Sequence, residues 1–406
     1  QVQVRACWFC GHGVGSGSVR EMRSRLGWLC SGALSRAAAH GTARGTTAAA
    51  AIVPPTVRRG LRSGPPSRAE SSAEPGPAWA AAPSAEDMAR VHTDIVAVLG
   101  GNNPRLRDAA QYYFDGAGKM VRPYIATVMG RACRRELLPE PAVPWPDQTE
   151  LHQREIAKIT EMIHTASLVH DDVIDRATTR RNKPSVNVAF TAKECVLAGD
   201  AILAKATHML ASIGNVRVIE IFAQVIEDLV RGELMQLGLA QQPEARFNDY
   251  IKKSEAKTAS LLARSCHSVA VLAAADPIVE THARKYGRHL GIAFQLIDDV
   301  LDVVQSSESM GKETSVDLKL GLATAPVLFA SEQYEELVPM MMRKFANEGD
   351  VERAHEFIMR SDGVERTRAL AAEHVSTAVH HAEQLHQPDQ IETLCAVARK
   401  VVTRNK

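Results

Sequence analysis

Asp171-Asp172-Val173-Ile174-Asp175 and Asp298-Asp299-Val300-Leu301-Asp302 repeat one acidic pattern 127 residues apart. Each places carboxylates at i, i+1 and i+4. On a helix of 3.6 residues per turn the first and last share a face, and the second lies beside the first. Largely apolar segments precede both motifs, at 164–170 and 291–297, and carboxylates rarely enter such surroundings without a partner. Two facing acidic clusters repel each other unless divalent cations lie between them. Hard oxygen ligands of this kind suit Mg²⁺ bound together with substrate phosphate, so the pair points to a diphosphate site.

A single motif of this type fits a solvated helix face equally well. Two copies with matching polar stripes do not. Gln295, Asp298, Asp299 and Asp302 fall at 0, +3, +4 and +7, apart from an apolar stripe of Phe294, Ile297 and Leu301. His164, Asp171 and Asp175 fall at 0, +7 and +11. Both stripes are expected to face one central cavity.

From about residue 84 the apolar residues recur at helical spacing, and no convincing alternating strand is present. The fold class is therefore all-α, a single large helical bundle. Residues 136–150 hold four prolines and predict a loop, followed by a long helix over about 151–175. Further breaks are expected near 182–184, 214–215, 242–243, 276–277 and 306–311. None separates regions of different composition, so residues 70–406 read as one domain.

Residues 1–69 differ from the rest. They carry ten arginines, no lysine and one acidic residue, Glu21, among many Ala, Ser, Gly and Thr. An Arg- and Ser-rich, acid-poor leader without an apolar core has the composition of a mitochondrial or plastid transit peptide. The chain opens on Gln1, and Met22, followed by Arg23, Arg25 and Arg36, is a candidate start. With the leader's charges removed from the net +1, residues 70–406 carry −8, which disfavours sequence-independent nucleic-acid binding. No run of 18 uninterrupted apolar residues occurs, so the mature protein is expected to be soluble or only peripherally attached to a membrane. Of seven cysteines only Cys7 and Cys10 form a CxxC, inside the leader. Cys133, Cys195, Cys266 and Cys395 read as small core residues of a reducing compartment.

Before the first acidic motif, residues 115–123 contain Gly116, Gly118, Lys119, Arg122 and Pro123. Glycines free the backbone and a proline is tolerated in a first helical turn, so a helix start is expected there with Lys119 and Arg122 as a phosphate clamp. Arg180 and Arg181 follow the motif closely, and Lys257-Thr258 lies in an otherwise apolar helix.

GKxxRP, HDDxxD followed by RR, KT, and FQxxDDxxD in this order resemble the trans-prenyltransferases, the head-to-tail isoprenyl diphosphate synthases, over residues 85–406. Residues 317–330 resemble the long-chain members that make quinone side chains. Short-chain relatives carry a second Gly-Lys where this chain has Gly321-Leu322, which leaves one diphosphate contact unassigned, with Lys319 as a candidate substitute. The resemblance implies the isoprenoid synthase fold. It also implies that Asp171, Asp175 and Asp298 bind Mg²⁺ bridging the allylic diphosphate, with Asp172, Asp299 and Asp302 supporting. Arg180, Lys257 and Lys312 would hold that diphosphate, and Lys119, Arg122, His164 and Arg181 the isopentenyl diphosphate. Thr258 and Gln295 would face the reacting carbons.

Neutralising the allylic diphosphate as it leaves lets an allylic cation form, and the clamped isopentenyl double bond attacks it. No protein base of suitable pKa is evident, so released diphosphate is the candidate proton acceptor. Short-chain members of the family often place aromatics just upstream of Asp171. The small Ala166 and Ser167 there, together with the long-chain resemblance, imply an open tunnel and a C45–C50 product from a farnesyl or geranylgeranyl primer, as the side chain of ubiquinone. The resemblance also implies assembly with a motif-poor second subunit or as a homodimer. A terpene cyclase is a rival reading, but its second metal motif usually mixes other residue types and it needs no isopentenyl clamp. A non-catalytic partner subunit is another; such a chain should have lost carboxylates, whereas all six remain.

Overall fold

The computed structural model describes residues 82–101, 103–115, 118–134, 147–180, 183–236, 243–308 and 315–404. All of them lie in a compact unit, Ser72–Lys406. The leader expected at 1–69, Arg181 and Lys312 lie outside the described residues.

The chain is helical nearly throughout. The first elements are α1 (Ala85–Val98), α2 (Pro104–Gln111), α3 (Val121–Ala132) and the long α4 (Asp147–Ile174). A two-residue hairpin, β1 (Thr179–Arg180) with β2 (Lys183–Pro184), is antiparallel and leads into α5 (Val186–Ala189). It fills the break expected near 182–184 and is the only sheet among the described residues. Next come α6 (Ala192–Ile213), α7 (Val216–Gln236) and α8 (Pro243–Ser254). A π-helical turn, Glu255–Ala259, then runs into α9 (Ser260–Leu272). The chain continues with α10 (Pro277–Glu308), α11 (Val316–Lys319), α12 (Ala325–Ala330), α13 (Leu337–Met342), α14 (Asp350–Arg360), α15 (Gly363–Ala382) and α16 (Pro388–Val402).

Local chemistry explains the boundaries. The Thr191 hydroxyl accepts from the Glu194 amide while the Glu194 carboxylate takes the Thr191 N–H, a reciprocal cap that starts α6. Gly214 ends that helix at φ 71°, a left-handed conformation that suits a residue without Cβ. Asp276 accepts from the amides of Ile278 and Val279, both at 3.0 Å, at the start of α10, where Pro277 has no N–H to leave unsatisfied. The helix that bears the first motif begins four residues earlier than expected, at Asp147.

Two helices form the centre. In α4, Ile156, Ile159, Ile163 and Ala166 are buried at three- and four-residue spacing, with Met162 and Val169 buried beside them. With Lys158, Thr160 and Glu161 buried as well, the middle of α4 is enclosed around its circumference, and α3, α6 and α9 pack against it. In α10, Val279, Ala283, Tyr286, Leu290, Ala293, Ile297 and Val300 form an unbroken buried stripe at the same spacing, packed against α15 and α9. The four cysteines read as core residues are all buried and free.

The approach of α10 to α9 and the π turn depends on two glycines. A Cβ on Gly287 would lie 2.7 Å from Ala263 Cα, and one on Gly291 would lie 2.5 Å from Ala259 Cα. Helix propensity alone favours Gly291→Ala by about 1 kcal/mol. The clash is with backbone, which cannot rotate away, and overpacking of this kind costs about 1–3 kcal/mol. Gly291→Ala is therefore expected to lower unfolding stability in urea; a more stable variant would show that α10 does not pack this closely.

Candidate active site

Asp171 and Asp175 are half-buried near the end of α4, and Asp172 between them is 0 % exposed. Asp172 carries its own counter-charge. Arg180, delivered by the hairpin, donates to its Oδ1 through Nε at 2.7 Å, and the Tyr113 hydroxyl donates to Oδ2. Tyr113 also accepts from the Val186 amide at 2.8 Å, so the hairpin, α5 and the first motif are tied together. Burying a charge is tolerable when it is paired and hydrogen-bonded in this way.

Asp171 is less well served. Its nearest cation is Lys257, 3.8 Å away, but Lys257 Nζ sits closer to Glu233, at 2.5 Å, and donates to Gln236 Oε1 at 3.3 Å. Burial pushes the Asp171 carboxyl up to about 6; Lys257 opposes the shift, and Glu233 and Asp175 add to it. Burial raises Asp175 as well.

The second motif repeats this division of labour. Asp299, 2 % exposed, accepts from the Tyr250 hydroxyl at 2.6 Å and from Gln295 Nε2 at 2.7 Å. Asp302 accepts from the backbone amides of Val316 and Asp317, both at 3.2 Å. Burial raises both carboxyls above the usual range. It raises Asp317 too, with the Asp299 and Asp302 charges adding to the effect. Asp298 lies 3.0 Å from Arg404 Nη1, whose guanidinium stacks at 4.3 Å over Phe294. Burial pushes Asp298 up to about 6 against the pull of Arg404 and, more weakly, Arg122.

The π turn joins the two halves. Lys257 reaches the first motif, whereas the next residue, Thr258, donates to Gln295 Oε1 at 2.6 Å on the helix of the second. Glu255 anchors the turn by accepting from Arg288 of α10 at 2.6 and 2.7 Å. A π turn widens the helix by about one residue per turn, which redirects neighbouring side chains.

The structure thus brings together Asp171, Asp175, Lys257, Thr258, Gln295, Asp298, Asp299 and Asp302, with Arg122 within electrostatic range of Asp298. Lys119 is exposed ahead of α3, and His164 is half-buried on α4. Ala166 is fully buried in the core, and the half-buried Ser167 donates to the His164 carbonyl at 2.8 Å. Arg180 is engaged by Asp172. Lys319 is exposed. Sequence reasoning missed Glu233, Gln236, Tyr113, Tyr250, Asp317 and Arg404. The polar pair Glu233 and Gln236, at i and i+3 on an apolar helix, was a usable signal; isolated tyrosines and an arginine beside the C-terminus were not.

Among the described residues no three acidic, histidine or cysteine side chains converge into a preformed metal cage. Mg²⁺ bound with a diphosphate needs only one or two carboxylates from each side. Asp171, Asp175 and Asp298 supply hard oxygen donors with raised affinity for positive charge, so the donor set fits.

The raised carboxyl of Asp171 has a measurable consequence. Its folded pKa of about 6 exceeds the unfolded 3.8, so the folded state binds its proton more tightly. The associated stability is fully present below about pH 3.8 and is lost as pH rises through about 6. In metal-free protein, the stability of Asp171→Asn relative to wild type is expected to rise across pH 4–7, by up to about 3 kcal/mol. A difference that does not change with pH would contradict this.

The polyprenyl synthetase family profile matches residues 103–358. The all-trans-polyprenyl-diphosphate synthase of Homo sapiens is 48% identical over 320 residues, covering 79% of this chain and 76% of that protein. Decaprenyl-diphosphate synthase subunit 1 of Schizosaccharomyces pombe is 40% identical over 339 residues, covering 79% and 90%. The crystal structure of a polyprenyl synthase from Caulobacter crescentus, complexed with calcium and isoprenyl diphosphate, superposes with a TM-score of 0.69 at 29% identity, covering 79% of this chain and 95% of that one. The helical architecture, the paired aspartate motifs and these similarities agree: the chain belongs to the polyprenyl synthetase family and is a trans-prenyltransferase of its long-chain, all-trans branch.

Proposed function

We propose that the cleft between the two motif helices holds the allylic diphosphate, with Mg²⁺ bound by Asp171, Asp175 and Asp298, for head-to-tail extension by isopentenyl diphosphate. The observation that carries this reading is that adjacent residues of one turn, Lys257 and Thr258, contact opposite motif helices. Asp172, Asp299 and Asp302, already satisfied by Arg180, Tyr113, Tyr250, Gln295 and backbone amides, hold the donor carboxylates in place. Mg²⁺, when bound, supplies positive charge against which the diphosphate leaves.

Lys257, Arg180 and Lys312 orient the allylic diphosphate. Lys119, Arg122, His164 and Arg181 hold isopentenyl diphosphate so that its double bond meets the allylic carbon. Thr258 and Gln295, locked to each other, face the reacting carbons. The departing diphosphate takes the proton. Water must be kept from the cation, and the apolar stripe of α10 forms one dry wall behind the second motif. The product is a C45–C50 chain destined for ubiquinone, and residues 1–69 direct the protein to the mitochondrion, where peripheral contact with the inner membrane suits so apolar a product.

Assembly rests on a second observation. On α7 the buried stripe is Val218, Ile221, Phe222 and Val225, yet Val216, Ile219, Ile226, Val230 and Leu234 are exposed, Val216 to 69 % and Leu234 to 63 %. With Ala223 they repeat at three- and four-residue spacing, the seam of a helix that packs against another helix. The adjoining α6 is apolar enough by length and composition to cross a membrane, but 39% of that span is buried in the bundle. We assign the seam to a subunit contact. The "subunit 1" in the name of the yeast relative favours a different, motif-poor chain over a second copy.

Residues 70–406, given Mg²⁺, farnesyl diphosphate and labelled isopentenyl diphosphate, are expected to yield a ladder of products ending near C45–C50, alone or with a co-expressed second subunit. No product under either condition would overturn the catalytic reading. Ser167→Phe is expected to shorten the ladder; unchanged length would show that the growing chain does not pass this residue. Ile226→Glu with Val230→Glu is expected to reduce the assembly to a folded, poorly active monomer by light scattering, whereas an unaltered mass would remove the seam from the interface.

A further inference from the structure

A half-buried lysine stands beside this site with no role in it so far. Lys253 lies in the last turn of α8, four residues before Lys257, so the two lie about one turn apart near a common face. Its side chain is half-buried. Among the described residues its ammonium makes no hydrogen bond and no ion pair, and its one recorded contact is with the face of the Tyr250 ring, 5.3 Å away. Burial pushes its pKa down, and the charges of Asp299 and Asp317 pull it back up.

The neighbourhood explains what such a cation is placed for. Lys253 lines a small open pocket together with Gln236, Tyr250 and Leu322. Two of these walls belong to the active site already described: Gln236 accepts from Lys257, and Tyr250 donates to Asp299. The pocket therefore borders the corner where Lys257 meets the first motif and the back of the second. A half-buried ammonium whose recorded contact is an aromatic face keeps its three N–H donors for a further acceptor, and a site proposed to take a highly charged anion lies next to it. Arg246, Lys344 and Asp249 line the same pocket, so its cationic side chains outnumber its one carboxylate, while Leu322 is apolar and Lys319 is exposed.

We infer that Lys253 is a further substrate-binding residue, which donates to the allylic diphosphate from the α8 side of the site while Lys257 donates from the π turn. The inference rests on the reading that this diphosphate bridges the two aspartate motifs. It assigns the charge to one substrate only, since the isopentenyl clamp expected from Lys119 and Arg122 approaches from α3, beside Asp298.

The test uses the active enzyme, with its second subunit if that is required, and farnesyl thiodiphosphate as an unreactive allylic analogue. In Lys253→Met the Kd for the analogue in Mg²⁺ is expected to rise at least tenfold, as is the KM for farnesyl diphosphate, while the KM for isopentenyl diphosphate stays within twofold. Lys253→Arg is expected to restore allylic binding to within about threefold. Adding Leu322→Lys to Lys253→Met should recover part of the loss by returning a charge from the facing wall. Lys253→Gln, of similar length and still polar, carries the test if the methionine variant does not fold. An unchanged Kd for the analogue would overturn the inference, as would equal weakening of both substrates, which is the mark of a lysine that only offsets Asp299 and Asp317. If wild-type enzyme fails to turn over the allylic substrate, the functional reading itself fails; if wild type is active and Lys253→Met binds normally, only this assignment does.

Discussion

Adjacent side chains on one turn of helix must reach two different helices in this protein, and much of the site depends on that turn. Lys257 points to the first aspartate motif and Thr258 to Gln295 beside the second. A regular α-helix separates consecutive side chains by about 100°, and the π-helical register of Glu255–Ala259 changes where they point. The turn is fixed from outside by the paired bonds from Arg288 to Glu255 and by the absence of a side chain on Gly291, which lets α10 come against Ala259. Gly232 performs the same service from α7, where a Cβ would lie 2.8 Å from the Lys257 amide nitrogen. Close packing on two sides is therefore a condition for the positions of Lys257 and Thr258.

Around that turn the carboxylates fall into two groups. Asp172, Asp299 and Asp302 are saturated by Arg180, tyrosine hydroxyls, Gln295 and backbone amides. Asp171, Asp175 and Asp298 have less compensation, and burial raises all three above the ordinary carboxylate range. The difference is the one expected if the first group holds the site together and the second meets the proposed ligand. Lys257 and Arg404 sit beside Asp171 and Asp298 as partial counter-charges, each a single cation shared with other groups or held at the edge of the cleft. In the proposed function a divalent cation with a diphosphate would satisfy such carboxylates more completely than a lone ammonium, and strongly perturbed carboxyls of this kind cluster at functional sites.

Much of this was legible in the sequence, because the all-α fold and the paired motifs rest on local periodicity. The buried stripes of α4 and α10 follow the three- and four-residue spacing, and the breaks expected at 214–215 and 276–277 fall at Gly214 and Pro277, whereas 306–308 continue α10. What was not legible depends on contacts between distant parts of the chain. Tyr113 and Asp172 are 59 residues apart, Tyr250 and Asp299 are 49 apart, and Arg404 is brought beside Asp298 only by the packing of the last helices on α10. The two-residue hairpin that aims Arg180 is too short for any periodicity to reveal. The π register leaves the apolar pattern of α8 and α9 intact and so gives no signal of its own. Lys319, the candidate substitute for the missing basic residue near Gly321, is exposed, and the half-buried Lys253 of α8, which lines the same pocket as Gly321, has no local pattern to mark it.

The central claim is that the metal and the allylic diphosphate are bound as one unit between carboxylates that neither satisfies alone. Calorimetric titration of Mg²⁺ into metal-free enzyme, with and without saturating farnesyl thiodiphosphate, measures that coupling directly, because whatever factor the analogue adds to Mg²⁺ affinity must be returned in its own. The account predicts weak binding of Mg²⁺ alone, much tighter binding with the analogue present, and loss of that enhancement in Asp298→Asn. Equally tight Mg²⁺ binding in both titrations would mean that the carboxylates form a metal site independent of the substrate, and would contradict it.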